Sequence, residues 1–68
     1  MKKYYVVAVE KEGVTYYLTD DGYYTSAFPQ ACLFEAKLYA EFSLHEAQKL
    51  NTSSLKIMEV LITINECK

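Results

Sequence analysis

The chain has no arginine and no tryptophan, and in 68 residues it carries one histidine (His45), one proline (Pro29), two glycines and two cysteines. Each shortage removes a class of function. Without arginine there is no planar fork to grip a phosphate or a guanine edge at two points. The seven lysines are outnumbered by nine acidic residues, and a net charge of −2 lacks the basic field that drives nucleic-acid binding. Cys32 and Cys67 stand far apart with no CxxC spacing and no histidine cluster, so a zinc site lacks ligands. A disulfide between them would need an oxidising compartment. The apolar run after Met1-Lys2-Lys3 ends at Glu10, shorter than a signal-peptide core of roughly 7–15 residues. No run approaches the roughly 20 apolar residues that span a bilayer. The sequence reads as a cytoplasmic protein with free thiols, outside the membrane and without a cofactor or metal.

What the chain does have is tyrosine. Three doublets, Tyr4-Tyr5, Tyr16-Tyr17 and Tyr23-Tyr24, fall in the first third, each in or beside a strand-like stretch. Successive strand side chains point to opposite faces, so each doublet puts one ring on either side of a sheet. Residues 3–10 are nearly all β-branched or aromatic, and residues 14–19 alternate after Lys11-Glu12-Gly13, which predicts a β-hairpin. Asp20-Asp21-Gly22 supplies a second tight turn, and Tyr23-Tyr24-Thr25 returns as a third short strand. In the second strand Val14, Tyr16 and Leu18 share one face, which leaves Tyr17 as the ring expected to be most exposed.

Residues 26–42 read two ways. Pro29 opens and Ser26 caps a possible helix, yet Leu38, Ala40 and Phe42 alternate with Lys37, Tyr39 and Glu41. The alternation favours a loop or short helical turn over 29–35, then a strand at 36–42. Ser43-Leu44-His45-Glu46 has the form of a capping box and predicts a two-turn helix with Leu44, Ala47 and Leu50 on its apolar stripe. Residues 55–64 form the most apolar strand, and such a strand is expected at the centre of a sheet, covered on both faces. One short helix covers one face, so the other needs residues 26–35 or a second copy of the chain. The expected fold class is α+β: a small antiparallel sheet, a meander plus a long C-terminal strand, with one short helix, in the order β-β-(β)-β-α-β over residues 1–68 as a single compact domain.

A domain of this size buries only about 60% of its unfolded surface, and oligomerisation is a common remedy. Catalytic sets are missing: His45 has no nucleophile or orienting partner legible in the sequence, and Cys32 sits in an apolar stretch with no positive neighbour. No catalytic residue is assigned, and the chain is read as a non-enzyme. The spacing of Glu10, Glu12, Asp20 and Asp21 does not match a calcium loop. Function by contact remains. Tyr5, Tyr17, Tyr23, Tyr24 and Tyr39 are the candidate contacting rings, with Glu10, Glu12, Asp20 and Asp21 as an acidic rim that steers a basic partner.

The opening Met1-Lys2-Lys3-Tyr4-Tyr5-Val6-Val7, the hairpin ending Tyr16-Tyr17-Leu18, and Tyr39-Ala40-Glu41-Phe42-Ser43-Leu44-His45-Glu46-Ala47 resemble the small orphan proteins of phages and mobile elements of Gram-positive bacteria. The best-matching part is about residues 37–51. The resemblance implies an accessory role, often the binding of a host protein as in anti-CRISPR and other anti-defence inhibitors, and it carries over no functional residue. The leading expectation is thus stoichiometric binding and inhibition of a host or defence protein, by a chain that itself forms a homodimer. The alternative is a homo-oligomer that sequesters a nucleotide or other small ligand, and the third reading is single-stranded nucleic-acid binding.

Overall fold

The computed structural model describes residues 2–50 and 54–63. Strand β1 (Lys2–Lys11) turns through Glu12-Gly13 into β2 (Val14–Leu18), and β3 (Tyr24–Thr25) completes a meander. A 3₁₀ turn (Phe28–Gln30) and helix α1 (Lys37–Gln48) follow, and β4 (Leu55–Ile62) returns to the sheet. All pairings are antiparallel and the strand order is β3-β2-β1-β4. The fold is α+β, one four-stranded sheet with one α-helix among the described residues.

Local chemistry accounts for the turns. Lys11 pairs with Val14, leaving Glu12 and Gly13 as a two-residue loop with φ of 52° and 78°, the signature of a type I′ turn whose twist matches the strands. At the next turn Gly22 adopts φ 89°. There the Thr19 hydroxyl donates to the Asp21 carboxylate and accepts from the Tyr23 N–H at 3.1 Å.

The registers assign every strand residue to a face, because directly opposed residues share one. Val7 faces Ile57 and Val9 faces both Leu55 and Tyr16, so Tyr5, Val7, Leu18, Tyr24, Leu55 and Ile57 share one side. Helix α1 covers that side with Ala40, Leu44 and Ala47, which recur at helical spacing and join the same apolar cluster. Ala40 is fully buried, and its single methyl lets the helix backbone settle close to the sheet. The opposite side carries Tyr4, Val6, Ala8, Tyr17, Met58, Val60 and Ile62. Phe28 from the 3₁₀ turn meets Tyr17 there edge to face, ring centres 5.3 Å apart.

Residues 32–34 pass from one side to the other. Strands β1 and β2 pair from the hairpin as far as Ala8 and Tyr17, then part. Into the slot comes the connecting segment: the Cys32 N–H donates to the Leu18 carbonyl at 3.0 Å, and Phe34 and Tyr5 exchange two hydrogen bonds of 2.8 Å. The segment thereby satisfies backbone groups that the parted strands would leave unpaired.

Four expectations are corrected. Residues 36–42 are not a strand: from Lys37 they are helix, because Ala40, Leu44 and Ala47 make one continuous helical stripe, which outweighs the six-residue alternation. The helix therefore starts before Ser43, and Ser43-Leu44-His45-Glu46 lies inside it, where Glu46 pairs with Lys49 at 3.0 Å rather than capping. Leu50 lies beyond the helix and is 93% exposed, not part of its buried stripe. Strand β4 is an edge strand; the centre belongs to β1, whose Val6, Val7, Ala8 and Val9 are all buried. The expected second cover is in part the 26–35 segment, which brings Phe28 onto the far face.

Candidate functional site

Helix α1 lies chiefly over β1 and β4; Leu18 and Tyr24 reach its apolar cluster, and beyond them the β2–β3 end of that side of the sheet is left open. Between the helix and the β2–β3 turn runs an open groove of about 410 Å3. Leu18, Tyr24, Cys32 and Phe34 form its floor. One wall is the helix flank, with Phe42, Ser43, Glu46 and Ala47 and then Leu50; the other is the turn, with Thr19, Asp20 and Gly22. Phe42 is 68% exposed at the rim. Around the helix from Phe42, Leu38 and Tyr39 also face solvent, so an apolar stripe runs from the groove over the outer surface of α1. A stripe of large exposed apolar side chains beside a groove is the usual mark of a contact surface.

The electrostatics are mildly acidic. Burial pushes the Cys32 thiol up from its ordinary value, and the negative charge of Asp20, which lines the same groove, adds to the shift. Cys32 is therefore a protonated, weakly nucleophilic floor group at neutral pH. On the helix flank, Lys49 holds the Glu46 carboxyl below the usual carboxylate value through a hydrogen bond on the open surface. A second cleft of about 380 Å3 lies under the hairpin end between Tyr16 and Tyr24, with Val9, Lys11 and Glu12. No group of three or more His, Cys, Asp or Glu that could hold a metal ion occurs among the described residues. His45 is exposed on the helix surface.

The rings expected to act together are dispersed. Of the candidate contacting rings, Tyr5 and Tyr17 lie on opposite faces of the sheet. Tyr5 packs half-buried against the core beneath α1. Tyr17, expected to be the most exposed ring, is half-buried against Phe28. Phe28 comes from a segment whose path no strand periodicity reveals. Tyr24 joins the core and lines both clefts. Tyr23, 71% exposed, projects from the β2–β3 turn, and Tyr39 lies on the outer helix. Asp20 and Asp21 sit with Tyr23 at one end of β2, whereas Glu10 and Glu12 sit at the other, Glu12 lining the second cleft and Glu10 on the opposite face of the sheet. The structure thus gathers Tyr24 and Asp20 into the groove, with Tyr23 and Asp21 in its flanking turn. It leaves Tyr5 and Tyr17 as packing residues.

Phe42, Leu38 and Leu50 were missed as contact residues. The available signal was the four-residue spacing of Leu38 and Phe42, which on a helix puts both away from Ala40 and Ala47. Read as a strand, the same residues looked like core. No protein-family profile, curated protein or solved structure matches this chain.

Proposed function

We propose that the chain works by stoichiometric contact with another protein, bound in the groove between α1 and the β2–β3 turn. The observation that carries this reading is the exposure of Phe42, Leu38 and Leu50 along and beyond a helix whose buried stripe is already satisfied by Ala40, Leu44 and Ala47. An apolar side chain of the partner enters the groove, and Asp20 and Asp21 beside it favour a segment carrying lysine or arginine. The resemblance to small phage and mobile-element proteins makes a host or defence protein, met in the host cytoplasm and inhibited by occlusion, the specific partner class.

The test is a nuclease-treated affinity capture from host lysate, comparing the native chain with a Phe42→Ser/Leu50→Ser variant. One protein captured at equal stoichiometry by the native chain and lost in the variant, with the melting temperature of the variant held, supports the reading. Equal capture by both moves the contact away from the groove. A second reading rests on the volumes of the two clefts, which fall in the range of small-ligand sites, with Tyr16 and Tyr24 both lining the smaller one. A rise in melting temperature with a nucleotide panel would favour that reading. Binding of a labelled single-stranded oligonucleotide that falls steeply with salt would favour single-strand binding.

A further inference from the structure

The two edges of the sheet are unlike. On one side β3 has two residues and gives way at once to a turn containing Pro29, so it offers almost no ladder to extend. On the other side β4 runs eight residues in unbroken register with β1, without proline or bulge, and among the described residues no strand lies beyond it. A long, regular edge of this kind is a template for another strand.

Which backbone groups it offers follows from the hydrogen bonds of β1. Tyr5 gives both its N–H and its C=O to Phe34, on the side of β1 away from β4. The two groups of one residue in an antiparallel strand point the same way and alternate along it. Val6 therefore points toward β4 and forms a hydrogen-bonded pair with Met58, whose groups are consumed inward. Leu55, Ile57, Glu59 and Leu61 consequently direct their N–H and C=O groups outward.

We infer that this edge pairs with the same edge of a second copy, β4 against β4 antiparallel about a two-fold axis at Met58, giving one continuous eight-stranded sheet. The register is selected by the residues themselves. A two-fold axis perpendicular to the sheet keeps like faces together, so each residue meets one of the same parity. Three registers use most of the strand, centred on residues 57, 58 or 59. Centring on Glu59 stacks its carboxylate on its own copy. Centring on residue 57 or 59 engages three outward residues per strand. Centring on Met58 engages all four: Ile57 with Glu59 of the other copy, and Leu55 with Leu61. The exposed Leu61 side chain then meets Leu55, and no like charges oppose. The groove takes no residue from β4, so a dimer of this form leaves it open.

Met58 in this register is a non-hydrogen-bonded pair with its copy, Cα atoms about 4.5 Å apart, within disulfide range. Lys56 and Val60 face each other across the axis, and each lies about 13 Å from its own copy. The experiment introduces Met58→Cys, Lys56→Cys or Val60→Cys singly into a chain carrying Cys32→Ala and Cys67→Ala, under mild oxidation, alongside the solution mass of the native chain. The expected result is a native species of twice 7.8 kDa, about 15.6 kDa, with Met58→Cys cross-linking on the order of tenfold faster than the other two. Glu59→Pro removes an outward N–H without touching the β1 ladder, and should yield a folded 7.8 kDa monomer. A native chain that stays monomeric at about 100 μM, within the usual working range of weak dimers, overturns the inference. So does cross-linking with no preference for position 58, or a dimer that survives Glu59→Pro.

Discussion

Strands β1 and β4 are close to equally apolar in sequence and lie side by side over eight register pairs, yet one is the core of the molecule and the other its border. In β1 four consecutive residues, Val6 to Val9, are buried, so both faces of the strand are covered. In β4 burial is interrupted throughout, and Met58 and Leu61 remain exposed. Apolarity on both faces is therefore compatible with either place. What separates the two strands is that β1 has a neighbour on each edge, supplied by the tight Glu12-Gly13 turn on one side and by β4 on the other. A strand joined to its partner by a two-residue turn commits one edge locally, and the late-arriving β4 takes the edge that is left.

Substitutions that probe burial sharpen this contrast. The largest effect is expected from overfilling or emptying the β1–α1 contact. Ala40→Leu forces three more carbons between helix and sheet and should cost about 1–3 kcal/mol, whereas Leu38→Ala on the outer face should stay within about 0.5 kcal/mol. Chemical denaturation of the two variants checks this, and equal losses would mean that the helix does not sit on the sheet through Ala40.

A smaller difference is expected between the two strands. Val7→Ala, at a fully buried position, should cost about 2 kcal/mol, and Val60→Ala in β4 about half as much, since its side chain is only partly buried. Reversal of that order would restore β4 to the centre.

The smallest effects belong to the hairpin turn. Gly13→Ala at φ 78° should cost about 1 kcal/mol, although a methyl there has open space around it, because the cost is conformational. Glu12→Asn should raise stability by a few tenths of a kcal/mol, since asparagine tolerates the φ of 52° better than glutamate does. Thermal melts of both variants against the native chain provide the measurement.

Much of the architecture was legible because it is written in short-range patterns. The hairpin, the Asp20-Asp21-Gly22 turn, the third strand and the C-terminal strand all follow from spacing within about ten residues. Residues 37–42 were misread for a physical reason: Leu38, Ala40 and Phe42 fit a period of two as well as the start of a longer helix, and six residues do not separate the periods. Only the continuation through Leu44 and Ala47 shows which residue is inward. The same misreading hid the contact surface, since Leu38 and Phe42 count as core on a strand and as surface on this helix. Tyr5 and Tyr17 were grouped because each doublet offers a ring to each face, while the choice of face depends on the Ala8–Tyr17 pairing, which no single strand records.

The sequence by itself determined the fold class, the meander and its turns, because turn chemistry and strand alternation act between residues already close along the chain. The tertiary structure alone decided that β1 rather than β4 is central, that residues 32–34 fill the slot between the parted strands, and that α1 stops short of β2 and β3 to leave a groove. Those outcomes depend on which apolar surfaces and unpaired backbone groups meet after the chain folds back on itself, a competition between distant segments that local patterns do not encode.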